Sequence, residues 1–332
     1  MTATGGEAED EALMGEAIAV AATARTTASP NPWVGCVIVP AGDGPAVEAA
    51  THPPGGPHAE AAALALAGDA ARGATVYVTL EPCAHHGRTA PCAEALVAAG
   101  VRRVVVGLED PDARVRGRGI ALLRRSGIEV TVGVGAARIA EQLAPYLKHR
   151  RTGRPWVVLK LAATLDGRIA AADGSSRWIT GPLARADAHR LRAESDAVVI
   201  GAGTVRADDP ALTVRDADGP DPLRVVLGQI PEGARVAPAL SESGDLGSVL
   251  DRLGGRDVLQ VLVEGGATVA AGFHRAGLVD RYVLYLAPAL AGGDDSPGLF
   301  RGPGAASIGD MWRGRILSVE RLGPDLRVEL GA

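Results

Sequence analysis

"LEPCAHHGRTAPC" (80–92) places four soft metal-ligand candidates, Cys83, His85, His86 and Cys92, in one short segment. Eight residues separate the two cysteines. A closed structural zinc site normally uses cysteine pairs about two to four residues apart. The chain has three cysteines in all, so a four-thiolate site is impossible. The third, Cys36, lies in the apolar run "WVGCVIV" and reads as a small buried core residue. A site made only of Cys83, His85, His86 and Cys92 is conceivable, but the adjacent histidines are too tightly spaced for both to reach one ion easily.

A different third ligand lies upstream in "GPHAEAAALALAG", where His58 and Glu60 stand at the start of an Ala-rich helix. H-x-E followed by P-C and a later Cys is the arrangement of zinc deaminases. In it one His and two thiolates hold a single Zn2+ and the fourth position stays open. Zinc there lowers the pKa of water towards neutrality. Glu60 is then a proton shuttle, taking the water's proton and delivering it to the ring nitrogen and the departing amine. Pro91 precedes Cys92 at a second helix start, and a helix N-terminus favours thiolate over thiol.

Working outward, the first 148 residues alternate helical and strand patterns. Leu13, Met14, Ala17, Ile18 and Ala21 recur at helical spacing, predicting a helix over 10–25. Strands are predicted at 33–39, 74–80, 101–108 and 128–134, and helices at 58–68, 91–100 and 117–127. Such alternation implies a layered α/β domain. "LKHRRTGRPW" (147–156) is a basic, Gly/Pro-containing break and the expected linker, giving domains 1–148 and 149–332. Beyond it, strands are predicted at 156–162, 196–203, 222–228, 258–266 and 281–288, helices at 182–195 and 267–277, and a final strand pair over 315–330. The Gly/Pro-rich stretches 41–57 and 216–245, outside the 222–228 strand, read as loops.

A length of 332 residues suits two domains rather than one core. A net charge of −5 and 3% aromatic residues disfavour a nucleic-acid partner, and with it a base-editing role. No stretch is long and apolar enough to span a membrane, and the acidic N-terminus lacks a signal pattern, so a cytoplasmic protein is expected. A homo-oligomer is left open.

In the second half, Lys160 lies inside the apolar strand "VVLKLAAT", and only it and Lys148 are lysines in a chain that otherwise uses Arg. Lys160 either reaches solvent from a strand edge or serves as a buried point charge. "VEGGATVAAG" runs strand, Gly-Gly, helix. It is either a simple tight turn or a cradle whose backbone N–H groups face a phosphate.

The motifs "PNPWVGCVIV", "PHAE" and "TLEPCAHHGRTAPC" resemble the deaminase half of the bifunctional riboflavin biosynthesis (RibD) family. "KLAATLDGRIA", "SSRWIT", "GAGTVRADDPALTVR" and "VLVEGG" resemble its reductase half, and together the likeness spans about residues 10–330. The resemblance implies a cytidine-deaminase-like α/β/α layered domain followed by a dihydrofolate-reductase-like α/β domain. It implies hydrolytic deamination of a ribosylated diaminopyrimidinone 5′-phosphate, then reduction of its ribosyl to a ribityl chain by NADPH. By the same resemblance His58, Cys83 and Cys92 hold zinc, Glu60 moves protons, and Asn31, His52 and Arg88 line the substrate pocket. Arg88 suits a phosphate, the alternative being a solvated loop charge. His85 and His86 shape the loop or pocket.

In the reductase half, Ser176, Arg192, Leu212, Arg215 and Glu264 are implied to contact substrate. Arg192 and Arg215 suit phosphate, and Glu264 the ribose hydroxyls. Lys160, Ala162, Trp178, Thr204, Asp208 and the run Gly266, Ala267, Thr268, Val269, Ala270, Ala271, Gly272 are implied to contact NADPH.

Two departures from the family pattern fall in the cofactor region. Gly228 and Gln229 stand where the family has Asp-Ser, whose Ser contacts cofactor. The interval 237–256, "APALSESGDLGSVLDRLGGR", is shorter than usual and predicts one short helix but no strand. This motivates an alternative in which the chain is a deaminase whose C-terminal half is a binding or dimerisation module.

Overall fold

The computed structural model describes residues 5–85 and 91–331. The chain divides into two compact units, Met1–Thr152 and Gly153–Ala332. The expected boundary at 148 falls inside a helix, Ala144–Thr152. Its last turn carries His149, Arg150 and Arg151. Basic side chains there complement the negative end of the helix dipole, so the first part of the expected 147–156 break finishes the helix. The break comes at Gly153-Arg154-Pro155.

In the N-terminal unit, α1 (Gly5–Ala22), β1 (Gly35–Val39), β2 (Val47–Ala50), α2 (Ala59–Ala67), β3 (Thr75–Leu80), α3 (Cys92–Ala99), β4 (Arg103–Leu108), α4 (Arg118–Arg125), β5 (Glu129–Val132), α5 (Ala136–Gln142) and α6 (Ala144–Thr152) follow in order. The strands form one sheet, β2-β1-β3-β4-β5. β1 is antiparallel to β2 and β3, while β3, β4 and β5 are parallel. β3 and β4 are almost wholly buried, which is why both read as continuous apolar runs. α1 turns Met14, Ala17, Ile18 and Ala21 inward, as its spacing predicts. β2 corrects the reading of 41–57 as loop. It is a four-residue edge strand with only Ala49 buried, too short for alternation to register.

The C-terminal unit contains β6 (Trp156–Thr164), α7 (Pro182–Ala193), β7 (Ala197–Gly201), α8 (Ala202–Asp208), β8 (Leu223–Leu227), β9 (Leu240–Glu242), α9 (Leu246–Gly254), β10 (Gln260–Val263), α10 (Ala267–Arg275), β11 (Arg281–Ala287), β12 (Arg315–Leu322) and β13 (Asp325–Gly331). Its sheet runs β12-β13-β11-β6-β10-β7-β8-β9. All pairings from β11 to β9 are parallel, and the β12–β13 hairpin closes the other edge antiparallel. The core beneath it includes Val157, Leu159, Val199, Val225, Leu250, Val261 and Phe273.

The interval 237–256 supplies more than expected. β9 pairs in parallel with β8, Val225 opposite Leu240 and Leu227 opposite Glu242. α9 follows, with the Asp245 carboxylate accepting from the Ser248 N–H at 3.0 Å as its N-cap. A three-residue, half-exposed edge strand carries no readable pattern, which explains the missed prediction. The interval therefore adds a strand as well as a helix to this unit. α8 was also unforeseen, because "GAG" reads as the tail of the preceding strand. Among the described residues no helix is long and apolar enough to cross a membrane.

Candidate active sites

Three ligand atoms converge beyond the carboxyl end of β3. His58 is the residue before α2, its backbone extended (φ −71°, ψ 163°), so its side chain leaves the helix start freely. Cys92 opens α3 directly after Pro91. Cys83 lies on the loop that leaves β3. His58 Nδ1 is 3.6 Å from Cys83 Sγ and 3.4 Å from Cys92 Sγ. All three ligand atoms lie within 4.8 Å of one another. A tetrahedral ion with ordinary Zn–N and Zn–S bonds needs an N···S edge of about 3.6 Å, so the donor set and the spacing both fit zinc.

The electrostatics point the same way. Cys83 is drawn down to about 4, chiefly by its contact with Cys92 and also by His58. The same contact, with burial, pushes the Cys92 thiol up. Two sulfurs competing to hold one negative charge are relieved by a divalent cation between them. Glu60, in the first turn of α2, is 4% exposed. Its carboxyl is pushed up to about 7, first by burial and then by the Cys83 charge. A carboxyl poised near neutral pH suits a group that must both take and return a proton.

His52 and His58 flank one tight loop, closed by the His52 N–H donating to Pro57 O at 3.1 Å. His52 is exposed, whereas Asn31 is half-buried in the turn ahead of β1, its N–H bonded to Ala28 O. His86 and Arg88 lie outside the described residues.

The C-terminal unit holds a cavity of about 1220 Å³ at the carboxyl ends of its parallel strands. Of the residues expected there, Lys160, Ala162, Ser176, Trp178, Arg192, Thr204, Asp208, Leu212, Arg215 and Glu264 all line it. The run expected along α10 narrows to Gly266, Ala267, Thr268 and Val269. Ala270 and Ala271 turn into the core instead, and Gly272 faces Leu246 of α9. Helical geometry imposes this, because only the first turn of α10 can face the cavity. Gly265 lets that turn form, since a Cβ there would fall 2.4 Å from Val269 Cβ.

Inside the cavity Arg192 and Glu264 make a two-pronged ion pair, Nε to Oε1 at 2.5 Å and Nη2 to Oε2 at 2.9 Å. The third nitrogen of Arg192 donates to Thr213 O at 3.2 Å. Burial alone would raise the Glu264 carboxyl, but Arg192 and then Lys160 outweigh it and hold it below its ordinary value. Burial pushes Lys160 down, against the pull of Glu264. Lys160 is half-buried on the interior strand β6 and lines the cavity, so it is not a strand-edge lysine. Gln229 and Gly228 also line the cavity, so the replaced Asp-Ser positions still face it.

Sequence reasoning missed five further arginines on the wall, Arg177, Arg185, Arg206, Arg235 and Arg301. In a chain with Arg at nearly every basic position nothing marks these out. Arg185 lies over the ring of Trp178, 4.6 Å from its centroid, and Trp178 is 69% exposed.

Residues 7–108 match the cytidine and deoxycytidylate deaminase zinc-binding region, and residues 155–328 match the RibD C-terminal domain. The riboflavin biosynthesis protein RibD of Escherichia coli is 39% identical over 97% of this chain and 99% of its own length. Its Mycobacterium tuberculosis counterpart is 44% identical over 97% of each. A solved RibD from Acinetobacter baumannii superposes with a TM-score of 0.92 at 39% identity, covering 98% of this chain and 99% of its own. A diaminohydroxyphosphoribosylaminopyrimidine deaminase/5-amino-6-(5-phosphoribosylamino)uracil reductase from Thermotoga maritima gives 0.88 at 33% identity, with coverage of 98% and 99%. The chain therefore belongs to the RibD family of riboflavin biosynthesis, enzymes that carry a zinc-binding deaminase domain and a reductase domain in one polypeptide.

Proposed function

We propose that the N-terminal unit deaminates a phosphorylated, ribosylated diaminopyrimidinone and that the C-terminal unit reduces the ribosyl chain of the product with NADPH. The observation that carries the first half is the His58–Cys83–Cys92 triad with Glu60 buried beside it. His58, Cys83 and Cys92 hold one zinc, which when bound lowers the pKa of water towards neutrality. Glu60 passes one of the water's protons to the ring nitrogen and then the second, from the hydroxyl left on the carbon, to the amine as the C–N bond breaks and ammonia leaves. Asn31 and His52 border the pocket, and Arg88 meets the phosphate.

In the second half NADPH, when bound, would supply hydride to the first carbon of the sugar, the ring C–O bond breaking and the freed oxygen taking a proton from solvent. The first turn of α10, Gly266 to Val269, with Thr204, Asp208, Ala162 and Trp178, lines the cofactor side of the cavity. Lys160 and the Arg192–Glu264 pair stand together as a charged cluster. Because Glu264 takes two donors of Arg192, we assign the substrate phosphate to Arg215 rather than to Arg192. Glu264, fixed by the pair, orients ribose hydroxyls.

The reaction takes place in the cytoplasm, where small phosphorylated intermediates are kept. Ile316 and Val319 on the edge strand β12 are 62% and 57% exposed, which suits burial against a second copy of the chain. Sedimentation at micromolar concentration tests that, a monomer refuting it.

Product mass decides the main proposal. With zinc alone the substrate gains about one mass unit as an amino group becomes a carbonyl, and adding NADPH adds about two more. Substrate returned unchanged under both conditions refutes the proposal.

A further inference from the structure

Glu81 is 4% exposed, lies two residues before Cys83, and has no part in the steps above. Its carboxylate is fully engaged. Oε1 accepts from the N–H groups of Gly119 (2.9 Å) and Ile120 (3.2 Å), and Oε2 from those of Gly117 (2.9 Å) and Asp110 (3.3 Å). A carboxylate offers about four acceptor positions, so none remains for a metal, a water or a substrate proton. Three of the four donors open α4, where the first N–H groups have no partner within the helix.

The contact is close as well as polar. A Cβ on Gly119 would fall 1.9 Å from the carbonyl oxygen of Pro82. Helix α4 therefore presses directly on the link between Glu81 and Cys83. On the other side Cys83 O accepts from the Ala93 N–H at 3.1 Å, and the Cys92 N–H donates to Cys83 Sγ at 3.3 Å. Glu81-Pro82-Cys83 is held between two helix starts, α4 through the Glu81 carboxylate and α3 through Cys83 itself. Pro82 stiffens the short link, so a shift of the α4 start is carried to the Cys83 sulfur.

We propose that Glu81 is a positioning residue for the zinc centre, coupling the Cys83 ligand to the first turn of α4. Helix α4 lies beyond residues 7–108, the span of the zinc-binding match. The centre thus depends on a structural element outside its own motif. This inference rests on the zinc assignment to His58, Cys83 and Cys92.

Coupling is reciprocal, so the first test needs no substitution. In the full wild-type chain, adding zinc slows hydrogen exchange at the amides of Gly117, Gly119 and Ile120 by on the order of tenfold. Glu81→Gln, which puts an amide NH2 against backbone donors, weakens zinc binding by roughly ten- to a hundredfold in chelator competition. It also alters the thiolate-to-metal absorption of the cobalt-loaded protein. Gly119→Ala acts in the same direction, because the added methyl pushes on Pro82 while the carboxylate stays in place.

Zinc that leaves those three amides unchanged overturns the proposal even where a variant fails to fold. Wild-type zinc affinity in Glu81→Gln overturns it as well. Wild-type zinc affinity in Cys83→Ala refutes the underlying zinc assignment, a failure distinct from the other two.

Discussion

In the N-terminal unit three side chains meet at one point, with His58 Nδ1 3.6 and 3.4 Å from two sulfurs. In the C-terminal unit side chains from most of the parallel strands and their following loops surround about 1220 Å³. The first site concentrates its chemistry in four residues on three short segments. The second distributes it over a wall in which most single residues contribute a contact and a few contribute charge. A point site fails when one ligand is removed, whereas a distributed site fails by degrees unless the removed group leaves a buried partner behind.

Substitutions that separate the two sites test this contrast. Cys83→Ala abolishes zinc retention and lowers deamination by at least about 10³-fold. Reduction of a supplied deaminated substrate stays within roughly twofold, as metal analysis and the two assays on one preparation will show. A parallel fall in both activities would break the idea of independent sites. Glu60→Gln keeps zinc but lowers deamination by about 10²–10⁴-fold. Unchanged turnover would remove Glu60 from its role.

Arg192→Ala is the corresponding weak point of the cavity. It leaves the Glu264 carboxylate buried without its main partner, their side chains being 14% and 8% exposed in the pair. The expected cost is about 3–5 kcal/mol of stability, read as a lowered unfolding midpoint of the full chain. Arg215 is exposed, so Arg215→Ala keeps stability within about 0.5 kcal/mol and raises the KM for the phosphorylated substrate instead.

Acidity distinguishes the sites further. Glu60 must be ionised to accept a proton, and its carboxyl is pushed up to about 7. The kcat/KM for deamination therefore falls with decreasing pH, approaching about tenfold per unit. A zinc cation nearby favours the carboxylate, so the limb lies at or below about 7. The sign would be wrong if deamination rose in acid.

Gln229→Ser is the mildest change, restoring the residue type that the family resemblance implies at this place. One added hydrogen bond of about 0.5–1.5 kcal/mol lowers the KM for NADPH by a few-fold. No change would show that Gln229 already makes the contact.

Much of the fold was readable because local patterns are enforced locally. β3 and β4 are buried on both faces and read as unbroken apolar runs. The elements that escaped, β2, β9, α5, α6 and α8, span four, three, seven, nine and seven residues. At those lengths periodicity carries little information, and pairing or packing with neighbouring elements decides the outcome. The basic stretch 147–156 does contain the division between the units, at Thr152 and Gly153, although its first residues finish helix α6, since basic side chains suit a helix end as well as a linker.

The sequence by itself singled out His58, Cys83, Cys92 and Glu60, which the structure brings together. Covalent spacing limits which donors can reach one ion, and helix starts announce themselves through Pro and Ala-rich runs. It also determined the two alternating α/β halves. Only the tertiary structure decided that Arg192 spends its donors on Glu264, 72 residues away, and that Glu81 is committed to the start of α4, 36 to 39 residues on. The same holds for α10, which turns Ala270 and Ala271 away from the cavity. These outcomes depend on which buried charges and backbone donors the packing brings together, and chain position does not encode that distance.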